Sequence, residues 1–168
     1  LLAANVVAAQ PTDAAVQPAP VASPRLASTD DLDGWYLWLG PRVGALYRQQ
    51  WDSNVGAELA LLRVREHYPL AAYGVRFAAT IPTATDRTRL ALGAVIGTRQ
   101  LADTMLGVTA DATLELDPFA RPAPGFSVGM WAHTGVVPFV TVGWTGGLQA
   151  SVTVEAGITI ALPVMRRR

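Results

Sequence analysis

Five arginines and four carboxylates hold the same place in a repeating pattern. Arg42, Arg48, Arg76, Arg89 and Arg99, with Glu58, Asp111, Glu115 and Glu155, fall on the polar parity of segments whose other parity is apolar. Charges turned toward one narrow interior must neutralise one another, because an unpaired charge away from water is very costly. Arg–carboxylate pairing across that interior is therefore expected, with Arg42, Arg76, Glu58 and Glu155 as leading members. The pairs would plug the space; the competing use of the same residues is a charged conductance path. The two histidines suggest less. His67 stands in a turn beside Glu66, and His133 ends the run Trp131-Ala132-His133-Thr134. Neither has metal-ligand spacing of the HExxH kind. A hydrolase built on His133 would want a serine beside it, and Thr134 stands there instead. Gly143-Trp144-Thr145-Gly146-Gly147 reads as a hairpin turn, not a phosphate loop. No enzymatic activity, metal or cofactor is expected.

The elements that must position these charges are strands. From Gly34 onward the hydrophobic period is two. Trp35, Leu37, Leu39, Val43, Ala45 and Tyr47 oppose Tyr36, Trp38, Arg42 and Arg48. Val55, Ala57, Leu59 and Leu61 oppose Gly56 and Glu58, and Tyr73, Val75, Phe77 and Ala79 oppose Gly74, Arg76 and Thr80. Leu90, Leu92, Ala94 and Ile96 oppose Arg89, Gly93 and Arg99; Leu106 to Leu116 alternates with Gly107, Thr109, Asp111, Thr113 and Glu115. Phe126, Val128 and Met130 oppose Ser127 and Trp131, then Val140, Val142 and Trp144 oppose Thr141 and Gly143, with Phe139 as an exception. Ala150 to Leu162 closes the series, opposing Thr153 and Glu155. Turn residues separate the runs at 51–54, 67–69, 82–86, 102–103, 117–124, 134–135 and 145–147. Eight strands of roughly 16 residues, turn included, suit a membrane-spanning strand of about 9–11 residues. Pro41 removes a ladder donor mid-strand, so a bulge or a later strand start is expected there. Around Arg63-Val64-Arg65 the parity slips, which suggests a bulge or the strand end.

Composition narrows the class. The chain has 168 residues, is 51% hydrophobic and 15% charged, and carries thirteen basic residues (all arginine) against thirteen acidic ones. Zero net charge argues against a nucleic-acid binder, and the absence of cysteine excludes disulfides and thiolate chemistry. The apolar runs are too short for a transmembrane helix, which leaves a soluble fold or a closed barrel as the options. Residues 1–33 differ from the rest. Leu1 to Gln10 reads as a signal-peptide remnant, and Pro11, Pro18, Pro20 and Pro24 mark an extended linker that ends in Asp30, Asp31 and Asp33. The barrel domain is expected over residues 34–168.

The apolar parity is nearly free of charge, as a lipid-facing surface demands. Most glycines fall on the polar parity, where they would make room for large side chains in a narrow lumen. Trp35, Tyr47, Trp51, Tyr73, Phe126 and Trp144 cluster near strand ends, like interfacial aromatic girdles. With these dyad repeats the chain resembles the small eight-stranded outer-membrane barrels of Gram-negative bacteria. The resemblance implies an all-β, antiparallel up-and-down transmembrane barrel in the outer membrane, preceded by a disordered or extended N-terminal segment. Such barrels usually end in an aromatic residue and carry long outer loops; this chain ends Pro163-Val164-Met165-Arg166-Arg167-Arg168, and its connections are short. The expected function is a structural or interaction barrel that anchors or scaffolds an envelope component. Membrane lipids would be its surroundings, residues 1–33 its means of reaching another envelope protein, and nucleic acid no partner. A small channel and a soluble barrel binding an apolar ligand are the alternatives.

Overall fold

The computed structural model describes residues 33–65, 68–101, 104–133, 136–146 and 150–167. Of the signal remnant and linker expected over residues 1–33, residues 1–32 lie outside them, as do Glu66, His67 and Thr134. Nine strand segments follow in order: β1 Gly34–Tyr47, β2 Trp51–Val64, β3 Ala72–Pro82, β4 Thr88–Leu101, β5 Thr104–Leu116, β6 Ala123–His133, β7 Val137–Thr145, β8 Ser151–Thr159 and β9 Leu162–Arg167. Each of the first seven pairs antiparallel with the next, and β8 and β9 both pair with β1. The two last segments share one strand position, so the sheet closes as an eight-stranded antiparallel barrel.

The register fixes the geometry of closure. Stepping from Gly34 through Val64, Ala72, Gly97, Gly107, Trp131, Phe139 and Gly157 returns to β1 at Gly44, ten residues further on. With a strand rise of ~3.3 Å and a spacing of ~4.8 Å, that stagger tilts the strands by ~40°. The outward aromatics Trp35 and Tyr47 at the two ends of β1 then stand ~30 Å apart along the barrel axis, close to the thickness of a bilayer's hydrocarbon core.

Parity holds on β1 to β8, while β9 is exposed along its whole length. Outward side chains are large and bare: Leu92 is 61% exposed, Met130 69% and Val152 63%. Inward ones are buried although many are polar, with Arg42 at 2% and Asp111 at 4%. That arrangement inverts a water-soluble barrel.

Three local expectations need correction. The first turn falls at Arg48–Gln50, with Gln49 at φ 93°, and not at 51–54. Asp52 and Asn54 are good turn formers, but here their side chains serve elsewhere. Asp52 accepts hydrogen bonds from Thr83 Oγ1 and the Ala84 N–H, and Asn54 is buried in the lumen. At Pro41, β1 runs straight through, paired with Ala57. The interruption appears in the neighbour instead, at Ile160–Ala161. The Pro41 carbonyl accepts from Ile160 N–H at 3.1 Å, so the proline's missing N–H also faces that strand. A bulge between Leu37 and Trp38 against β9 follows a few residues on. Finally, the strand end expected as one alternative at 63–65 is there, since β2 ends at Val64, but the parity does not slip. Ala60, Leu62 and Val64 are inward residues that happen to be apolar.

Candidate functional site

The interior divides into a charged half and an apolar half. In the charged half, β1 contributes Arg42, β2 Glu58, β3 Arg76, β5 Asp111 and β8 Glu155. Arg42 donates from Nη1 to Glu58 Oε2 at 2.8 Å, and from Nη2 and Nε to Glu155 Oε1 at 3.0 and 3.2 Å. Arg76 donates from Nη1 to the same Glu58 oxygen at 3.1 Å and grips Asp111 with two bonds, of 2.6 and 2.9 Å. The result is an alternating chain, Glu155–Arg42–Glu58–Arg76–Asp111. Bidentate Arg–carboxylate pairs are among the stronger hydrogen-bonded contacts and fix geometry as well as charge. Neutral groups occupy remaining positions: Asn54 Nδ2 donates to Glu155 at 3.1 Å and Ser127 Oγ to Asp111 at 3.3 Å.

Three of the other sequence-derived residues lie at the edge of this chain. Arg89 is buried, 3.9 Å from Glu155 and 3.5 Å from Thr153 Oγ1. Arg48, in the β1–β2 turn, reaches across the barrel to pair with Glu115 at the end of β5. Burial lowers the Arg48 pKa below the usual arginine value, and the neighbouring Arg87 and Arg89 charges add to the effect. The Arg99 side chain lies outside those described.

The apolar half packs Ala60, Leu62, Val95, Trp131, Val137 and Phe139 together, with Trp38, Met105 and Ala161 against them. Sequence reading missed this cluster; its signal was the set of large apolar residues on inward parity, Phe139 included. Trp131 lies over two glycines. A Cβ on Gly107 would come within 2.3 Å of its indole, and one on Gly97 within 2.9 Å. The two halves meet where the Arg42 guanidinium sits 3.6 Å above the Phe139 ring. A cavity of about 30 Å³ marks that boundary, lined in part by Glu58, Arg76, Trp131 and Phe139. It is far below the roughly 300–1,000 Å³ of small-molecule pockets. His133 is half-buried beside Trp38, ring centroids 5.2 Å apart.

On the outside, the six aromatics separate into two bands. Tyr47, Trp51, Phe126 and Trp144 stand near the end that carries the β1–β2 and β5–β6 turns, and Trp35 and Tyr73 near the end where β1 begins and β9 finishes. Tyr47 and Trp51 lie 5.2 Å apart, centroid to centroid, and Phe126 and Trp144 6.1 Å.

No family model and no curated protein matches the sequence. Among solved structures, the crystal structure of Neisserial surface protein A is similar in fold. Its TM-score is 0.51 at 10% identity, over 77% of this chain and 97% of that one. The chain has the architecture of the small eight-stranded outer-membrane barrels. A de novo designed transmembrane β-barrel also aligns, at TM-score 0.46 and 16% identity, over 74% of this chain and 95% of that one.

Proposed function

We propose that this chain is a non-conducting outer-membrane barrel of a Gram-negative bacterium, with a charge-plugged lumen, which anchors or scaffolds an envelope component. The observation that carries the reading is the inverted burial: bare apolar side chains outside, ion-paired arginines and carboxylates inside. Lipid is the medium in which such an exterior is stable. A soluble barrel binding an apolar ligand fares worse, because it would need a roomy apolar interior and the boundary cavity measures about 30 Å³. A channel fares worse too, because an ion would have to displace buried Arg–carboxylate pairs and then pass Leu62, Trp131 and Phe139. Residues 1–33 are the segment assigned to a partner in the envelope. The reading gives the barrel no catalytic step.

Cell fractionation with heat-modifiable gel migration tests the location, and planar-bilayer recording tests the plug. Recovery with outer membranes, with a flat current trace, is the expected result. Recovery in the soluble fraction contradicts the barrel's membrane role, and steady channel openings contradict the plug.

A further inference from the structure

Among the described strand residues, the outward parity carries just two charges, Arg63 and Arg167. Both flank the same residue. Trp35 pairs with Arg63 on β2 and with Arg167 on β9. Tyr73 pairs with Arg63 from its other side. Four adjacent strands thus form one transverse row, Arg167–Trp35–Arg63–Tyr73, at the terminal end of the barrel, where β1 begins and β9 finishes. Two residues nearer the middle, the next outward row is Met165–Leu37–Leu61–Val75, which is wholly apolar. The surface changes from hydrocarbon-compatible to cationic within one ~7 Å step along the strand.

Arg63, Arg65 and Arg167 are not consumed by carboxylates among the described residues. Arg63 lies 6.0 Å from the Trp35 ring, and Arg65, one residue beyond β2, stacks 3.4 Å over Tyr68. Among the described residues, no carboxylate forms an ion pair with Arg63, Arg65 or Arg167. At the opposite end, the outward aromatics Tyr47, Trp51, Phe126 and Trp144 have no outward charge beside them on the strands.

We infer that Arg63 and Arg167, with Trp35 between them, form a binding site for the headgroup phosphate of an anionic phospholipid in the leaflet at the terminal end. The inference rests on the membrane reading above. Two strand spacings separate the arginines, roughly 10 Å between Cα atoms, so both long side chains can converge on one phosphate. Guanidinium presents paired N–H donors to phosphate oxygens. The indole occupies the headgroup level, where Trp is favoured. The lipid's acyl chains would descend over Leu37, Leu61 and Val75.

Brominated lipids test this by quenching tryptophan. The full chain carrying Trp51→Phe and Trp144→Phe keeps Trp35 as its one outward-facing tryptophan. It is reconstituted into vesicles that mix phosphatidylcholine and phosphatidylglycerol, with bromine on one lipid or the other, and only protein that floats with the vesicles is measured. Phosphatidylglycerol is expected to be enriched at Trp35 by roughly fivefold per arginine. Adding Arg63→Gln with Arg167→Gln should remove the enrichment, and Arg63→Lys with Arg167→Lys should restore part of it. Equal quenching by both lipids in the parent, or enrichment that survives the glutamine changes, overturns the site while leaving the membrane reading intact. Enrichment abolished by millimolar inorganic phosphate overturns the lipid assignment in favour of a free anion. Protein that never floats overturns the membrane reading and this site with it.

Discussion

Arg42 and Glu58 meet at 2.8 Å inside the barrel, with the Arg42 side chain 3% and the Glu58 side chain 16% exposed. They sit on paired strands but not in directly opposed positions: Arg42 faces Gly56, and Glu58 faces Gly40. A diagonal approach of this kind lets Glu58 accept from Arg42 and from Arg76 with one oxygen. Arg42 in turn spans to Glu155, 113 residues along the chain. The pairing therefore ties the first, second, third, fifth and eighth strands into one unit only when the barrel is closed.

Removing one member strands its partners. Glu155→Ala leaves Arg42 and Asn54 facing a lost acceptor in a buried site, a change that typically costs about 3–5 kcal/mol. The unfolding temperature in detergent should drop clearly, while Asp86→Ala, in the exposed 83–87 turn, should leave it unchanged. Equal thermal curves for the two variants would contradict the network's energetic role.

The lipid-facing assignment is testable by charge insertion. Leu92→Arg places a charge on a mid-strand outward position, at a cost of about 2–4 kcal/mol near the bilayer midplane. Phe119→Arg, in the loop between β5 and β6 where the side chain is 89% exposed, should be tolerated. Membrane-fractionation yield should fall for the first variant and hold for the second. An inward control such as Thr109→Arg is less clean, because Thr109 is buried against the Gly129 backbone.

The apolar half of the lumen depends on Gly97 receiving Trp131, the first side chain that a Cβ there would meet. Gly97→Ala pushes a methyl group into the indole and should destabilise by about 1–3 kcal/mol. Trp131→Leu alone leaves a cavity and also destabilises. Combined, the two should cost clearly less than their sum, since the smaller side chain frees the space the methyl needs. Simple additivity in a double-mutant cycle would place Trp131 elsewhere.

The alternation was readable in the sequence because a barrel in lipid enforces it residue by residue: a slip of one position would turn Arg76 or Glu155 outward. Strand count, the inward charges and the outward aromatics all follow from that single period. Turn placement was less readable at 48–54, where Asp52 and Asn54 are strong local turn formers that tertiary contacts recruit for other work. The effect of Pro41 was displaced onto the neighbouring strand, because the missing donor faces Ile160 and not Ala57. Arg42, Arg76, Glu58 and Glu155 do pair, but which arginine meets which carboxylate is a property of the ten-residue stagger that parity alone does not carry. The apolar half was hidden for the same reason: Trp131, Phe139 and Leu62 become neighbours only when the sheet closes.

The most direct measurement of the inside–outside assignment uses nitroxide spin labels in vesicle-reconstituted protein. The chain has no cysteine, so Leu92→Cys, Val128→Cys, Thr109→Cys and Thr141→Cys each give a single thiol. Cysteines at positions 92 and 128 should take the label, which should collide readily with oxygen and be shielded from a water-soluble nickel chelate, while cysteines at 109 and 141 should resist labelling in the folded barrel because those side chains are buried. Outward labels as open to the nickel chelate as a label on the exposed 83–87 turn would contradict the account, because those side chains would then be facing water and not lipid.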